Sequence, residues 1–211
     1  MPMASLPDHL QPAPVGRERL SREVVASYQR DRILLAATAV FAERSYHGTT
    51  IDQIVAAAHV GVGSFYEHFE NKEACFVAAY DRVIVALRDG VLTGTPDGGP
   101  WGERLAAALQ ALLGAIEADP AAARLAFVEV HSAGEAVLSH HERNLEEVTE
   151  VLRVGRAQGS VSADLPQSFE FATVGGLTWY LQQRIETGDA AAASTLLPEL
   201  LEIVAEPYLA A

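Results

Sequence analysis

A single cysteine, Cys75, stands among 211 residues. It excludes an intrachain disulfide, and it excludes a structural zinc site built from four cysteines or from two cysteines and two histidines. Cys75 itself reads as a small buried apolar residue rather than a redox sensor. No apolar stretch approaches the ~20 residues of a membrane span, and no signal-peptide pattern is present. The expectation is a soluble, cytoplasmic protein with no membrane partner. Strand signals are missing too, since apolar and polar residues nowhere alternate between turn signals. Cations are scarce, 15 against 28 acidic side chains, for a formal charge of −13. Nonspecific affinity for nucleic acid comes chiefly from phosphate neutralisation and counterion release, so weak nonspecific binding with a modest salt dependence is expected. The deficit is uneven: residues 1–75 carry a net −2 and the remainder −11.

What the chain does hold is alanine and leucine at helical spacing, over a length sufficient for one large or two modest domains. An all-α fold of about nine helices follows. Its most informative stretch is Thr49 to Lys72. Thr50 is placed to cap a short helix, with Gln53 as the reciprocal partner of a capping box. Ile51, Ile54, Val55 and Ala58 give that helix one apolar face. A break at His59-Val60-Gly61 precedes a second short helix in which Phe65 and Phe69, four apart, form the buried side. Val62, Gly63, Ser64, Tyr66 and His68 point elsewhere. Two short helices joined by a tight turn, the second with a small or hydrogen-bonding outer face, form the layout of a helix-turn-helix, whose second helix enters the major groove.

The run Val60-Gly61-Val62-Gly63-Ser64-Phe65-Tyr66-Glu67-His68-Phe69-Glu70-Asn71-Lys72-Glu73 resembles the DNA-binding signature of TetR-family transcriptional regulators. The likeness extends back to Gln29 and Phe41-Ala42-Glu43-Arg44. Three positions depart from the pattern. His59 stands at the usual turn glycine, Gly61 at the usual serine or threonine cap, and Val62 at a usual basic or polar residue. Histidine tolerates a left-handed backbone better than most residues, and glycine is a weaker but acceptable cap. The resemblance implies that Tyr66, His68 and Lys72 hold the phosphate backbone. From the residues themselves, Thr50 can do the same, while Gly61 and Gly63 allow close approach and Ser64 and Val62 reach base edges. The resemblance also implies a homodimer on a palindromic double-stranded operator, released by a small-molecule effector, and most simply a repressor.

Along the chain, prolines at 2, 7, 12 and 14 mark a flexible tail over 1–22, and Arg17, Arg19 and Arg22 offer a basic arm. Residues 23–75 form the helix-turn-helix domain, opened by a helix ending near Arg44. Residues 76–211 form the ligand-binding and dimerisation domain. A connector helix capped by Asn71 is expected to reach about Arg88, before the breaker segment Val91 to Gly102. Helices follow from Trp101 to Ala118, from Pro120 through His131, from Ala133 to Gln158, from Phe169 to Gly188, and from just before Pro198 to Tyr208, with a loop over 159–166. The last two are apolar on more than one face, and Gly175-Gly176 admits close approach. They are the expected dimer interface.

An apolar pocket among the downstream helices has Phe127, Glu129, His131, His141 and Trp179 as candidate lining residues, with Glu129 suited to a cationic ligand. No metal or other cofactor is expected, because adjacent His140 and His141 project about 100° apart on a helix. Nor is an enzyme, since no nucleophile-base pair or phosphate loop is present. The competing classes are a helical small-molecule carrier or enzyme, and a dimeric scaffold whose DNA-reading helix has decayed.

Overall fold

The computed structural model describes residues 22–157 and 165–205. The tail with Arg17 and Arg19, most of the 159–166 loop and Tyr208 lie outside the described residues. All regular elements among the described residues are helical, with no strand.

The first helix, α1 (Arg22–Gly48), buries Ile33, Leu34, Ala37, Val40 and Phe41 along one stripe. Its regular part ends where the spacing predicts, because Ser45 leaves the helical region at φ 63°, ψ 165°. That conformation is almost confined to glycine and is held only by surrounding contacts. Next comes α2 (Ile51–Ala58), and its capping box forms as expected. The Thr50 Oγ1 accepts from the Gln53 N–H, and the Gln53 side chain accepts from the Thr50 N–H at 2.9 Å. His59 then turns the chain at φ 52°, ψ 45°. Arg32 of α1 donates to the carbonyls of Ala58 (2.5 Å) and His59 (3.3 Å), satisfying groups that the helix end leaves open. A seven-residue helix, α3 (Val62–His68), follows.

Asn71 caps α4 (Lys72–Gly94), its Oδ1 accepting from the Ala74 N–H at 2.8 Å. This connector runs past the expected end at Arg88 and through the first part of the expected breaker segment. The reason lies in packing, since a Cβ added at Gly94 would sit 2.6 Å from the Ala111 Cβ of α5 (Trp101–Ala118). Gly94, the last residue of the helix, admits the neighbouring helix where a side chain would not fit.

Asp119 caps α6 (Pro120–Phe127), with Pro120 at the first helical position. A helix continuing through His131 is not observed: α6 stops at Phe127, and residues Glu129–Ser132 form a 3-10 turn closed by Gly134 at φ 105°. Then come α7 (Glu135–Ala157), α8 (Phe169–Glu186), a 3-10 segment over Asp189–Leu196 and the short α9 (Leu197–Leu200), which passes into a π turn over Leu201–Ala205.

One hydrophobic cluster unites Phe41, Phe65, Phe76 and Tyr80 of the first four helices with Leu125, Val130 and Val137 downstream. Cys75 lies fully buried in it, and burial pushes its thiol up to about 12, the condition of an inert core residue. A second cluster joins Leu113 and Ile116 to Leu181, Ile185 and Leu200, and a third gathers Trp101, Leu105, Leu152 and Val174. Among the described residues no single helix is long and apolar enough to cross a membrane, and α5 and α6 together bend by 111°.

Candidate DNA-reading face and ligand cavity

The short helix α3 is seated by one ring. Phe65 is fully buried against the first four helices and Phe69 joins it one turn on. With that side fixed, the opposite side faces outward. Gly61, Val62, Gly63, Tyr66 and Glu67 are exposed and Ser64 is half-buried. Tyr66 is 56% exposed even though its ring packs edge-on against Phe65, so its phenol stands clear of the protein. His68 is half-buried, and its Nε2 lies inside without a hydrogen-bond partner. Any outward contact from His68 therefore runs through Nδ1. Thr50 is exposed at the start of α2.

Lys72 does more than the sequence suggests. Its Nζ donates to the carbonyls of Tyr46 (2.8 Å) and Thr49 (2.9 Å) and lies 4.3 Å from the centre of the Tyr46 ring. Burial lowers its pKa. An ammonium has three N–H donors, and two of them hold the segment that leads into α2.

Glu129 grips that segment from the other side. It is 3% exposed, accepts from the Tyr46 N–H at 3.0 Å and pairs with Arg124 at 3.3 Å. The strained Ser45 and the whole approach to α2 are thus fixed between Lys72 and Glu129. Glu129 was expected to line the ligand pocket and does not, which corrects that expectation: its carboxylate is engaged with the backbone of the segment before α2 and with Arg124.

The cavity itself holds about 500 Å³ between α4, α5, α6, α7 and α8. Ile84, Leu87, Leu109, Leu112, Leu177 and Leu181 supply much of its wall, and Phe127 and His141 line it as expected. His131 and Trp179 do not. His131 is exposed, with its ring edge-on to His141 at 5.3 Å, and Trp179 is 62% exposed on the outside of α8. Helical spacing alone does not distinguish an inward stripe from an outward one when both are apolar. The sequence reading missed Tyr80 and Asn144. The Tyr80 hydroxyl lies 3.0 Å from His141 Nδ1 and accepts from the Asn144 amide at 3.3 Å, making one polar end in an otherwise apolar space. Tyr80 stands at helical spacing with Phe76, Val83 and Leu87 on the connector, a pattern that marks a buried ring and says nothing of the partner of its hydroxyl. Leu92, Val148 and Val151 are exposed at the rim, where Arg88 and Glu147 pair across the opening.

Burial depresses His141 from 6.5 to about 4, with His131 a smaller contributor. The neutral ring is therefore favoured in the folded state, and its contribution is fully present above pH 6.5 and is lost as pH falls toward 4. A tenfold change in proton affinity corresponds to about 1.4 kcal/mol before solvent screening. Allowing for that screening, urea titrations at pH 7 and pH 4.5 should show the wild type losing roughly 1–2 kcal/mol more than His141→Gln. Parallel losses would show that the imidazole has no such role.

Among the described residues no group of three or more metal-ligating side chains is gathered. His140 is instead engaged with Asp81 at 3.0 Å.

Residues 33–79 match the family model of the bacterial regulatory proteins of the tetR family. The transcriptional activator FasR of Mycolicibacterium smegmatis is 32% identical over 114 residues, covering 54% of this chain and 52% of that protein. The transcriptional repressor DhaR of a Mycobacterium species is 51% identical over 45 residues, covering 21% and 23%. The chain spans about half or less of the length of these curated relatives. Among solved structures, the fatty acid degradation regulator FadR of Bacillus halodurans superposes with a TM-score of 0.75 at 18% identity, covering 90% of this chain and 97% of that one. FadR of Bacillus subtilis in complex with stearoyl-CoA gives 0.62 at 20%, covering 83% and 98%. At such identities the superpositions carry the fold.

Proposed function

We propose that this chain, which belongs to the tetR family of bacterial regulatory proteins, is a transcriptional repressor that reads a palindromic operator as a homodimer and leaves it when a small apolar molecule enters the cavity. The observation that carries the proposal is the outer face of α3. Val62, Gly63 and Tyr66 are left uncovered on a helix whose inner side is a single buried phenylalanine. A helix of seven residues contributes little core, and its exposed face suits a groove.

The dimer is supported by α8. Phe171 (67% exposed), Gly175 and Trp179 fall on one side of it, and a Cβ added at Gly175 would meet nothing within 4 Å. Ile203, 55% exposed, extends the apolar surface toward the C-terminal segment. Two copies facing along this side form the four-helix arrangement that symmetric dimers commonly use.

Response to ligand runs through elements already described. The distal half of α4 lines the cavity while its first turn holds Lys72, and Phe127, also in the wall, is two residues from Glu129. A ligand that shifts α4 therefore displaces the Lys72 grip on the segment before α2, and one that shifts α6 displaces the Glu129 grip. A coupling of ~1–3 kcal/mol suffices for a useful switch. Apolar walls suit a hydrocarbon ligand, and a fatty acyl thioester is what the similar FadR of Bacillus subtilis holds.

Fluorescence anisotropy with DNA from upstream of the protein's own reading frame tests this. The wild type should bind it well above bulk DNA, and Tyr66→Ala should weaken binding tenfold or more at an unchanged melting temperature. A folded Tyr66→Ala protein with undiminished affinity would remove α3 from the interface.

A further inference from the structure

The interior of the cavity contains very few polar groups, and most are already committed. The hydroxyls of Thr173 and Thr178 each donate to a carbonyl one turn back, at 2.9 and 2.8 Å. Arg88 and Glu147 satisfy one another at the rim, where both side chains are at least half exposed. What remains is the cluster of Tyr80, His141 and Asn144.

The proton positions in that cluster follow from its geometry. Tyr80 is fully buried, its oxygen accepts from Asn144, and the acceptor available for its own proton is Nδ1 of His141 at 3.0 Å. The reverse assignment, with Nδ1 carrying the hydrogen, would leave a buried phenolic proton without an acceptor. Nδ1 is therefore the bare nitrogen and Nε2 carries the N–H. That Nε2–H has no hydrogen-bond partner among the described residues, although His141 is only 7% exposed and lines the cavity. Asn144, half-buried in the same wall, keeps its Oδ1 as an unused acceptor. Both side chains line the cavity, so its otherwise apolar wall carries one donor and one acceptor, with the exposed His131 ring 5.3 Å from that of His141 as the neighbouring titratable group.

We infer that the cavity takes an uncharged, hydroxyl-bearing hydrocarbon, its oxygen accepting from His141 Nε2–H and donating to Asn144 Oδ1, with the hydrocarbon lying against the leucines of α5 and α8. This rests on the cavity being the effector site and adds what the effector carries. An ionised carboxylate is disfavoured, because burying a charge without a partner costs far more than a hydrogen bond returns. The interior offers no cation: burial keeps the imidazole neutral, its pKa near 4, and holds the Tyr80 phenol near 12. The cluster is neutral throughout the physiological range.

Calorimetric titration of the full chain with 1-decanol and with decanoate at pH 7.5 tests this. Decanol should bind at least tenfold more tightly than decanoate. His141→Leu and Asn144→Leu should each weaken decanol tenfold or more, and His141→Gln, which keeps a donor, should recover part of the loss. Asn144 is only partly buried, so its variant reads the same preference if His141→Leu fails to fold. Equal or tighter binding of decanoate, decanol binding indifferent to both leucine variants, or binding of neither probe would overturn the inference. If decanol binds as expected without altering operator affinity, the polar-end assignment stands and the effector reading of the cavity is what fails.

Discussion

Replacing Arg156 by alanine is expected to destabilise the protein by about 3–5 kcal/mol, the range for removing one partner of a buried ion pair. Glu170, at the start of α8, is 1% exposed, and Arg156, near the end of α7, meets it with two N–H groups at 2.7 and 3.3 Å. The same guanidinium donates to the carbonyls of Leu165 and Pro166, each at 3.0 Å. One side chain thus closes the end of α7, the entry to α8 and the backbone between residues 165 and 166. Without it a carboxylate and two carbonyls lose their donors together. Lysine should restore only part of the loss, since it cannot present the planar fork. The double replacement Arg156→Met with Glu170→Leu should recover most of it, because the unpaired charge is then gone. Urea unfolding at pH 7 checks all three. A loss below about 1 kcal/mol for Arg156→Ala would mean that Glu170 finds water or another donor.

The second large effect is at Glu129. Glu129→Ala leaves the Tyr46 N–H and the Arg124 guanidinium without their acceptor, and Arg124 is already about one-third solvated. A stability loss of roughly 2–3 kcal/mol is expected, smaller than for a fully enclosed pair. The more telling consequence is on DNA. Glu129 lies outside the helix-turn-helix, yet the segment it holds includes Ser45 in its strained conformation and leads straight to the Thr50 cap of α2. Operator affinity of Glu129→Ala should therefore fall tenfold or more in a protein that remains folded. Glu129→Gln, which retains an acceptor for the Tyr46 N–H, should stay within a few-fold of wild type. Equal operator affinity in wild type and Glu129→Ala would show that the 45–49 segment holds its shape without this carboxylate.

These two residues also show where sequence reading stops. Caps and turns at Thr50, His59 and Asn71 are legible because each is a local event, decided by one side chain and a backbone group two or three residues away. The outward face of α3 is legible for the same reason, since Phe65 and Phe69 determine which side is buried. Glu129 gave no such signal. In sequence it is a charge within an apolar helix and invites a ligand, whereas its partner Tyr46 lies 83 residues earlier. That contact accompanies the end of α6 at Phe127, where periodicity alone runs on through His131. Trp179 and His131 were misplaced for a related reason. An apolar or aromatic stripe gives the spacing of a face and not its direction, and only the packing of α6 and α7 against α8 puts Leu177 and Leu181 inward with Trp179 outside. The extended α4 follows the same rule, since the fit of Gly94 against Ala111 is invisible until both helices are placed.

Hydroxyl-radical footprinting on the upstream DNA addresses the central claim, that two copies of α3 occupy successive major grooves. It should reveal paired protections centred about one helical turn, 10–10.5 base pairs, apart and related by two-fold symmetry. A solitary protected patch, or protection that persists undiminished with Tyr66→Ala, would contradict it.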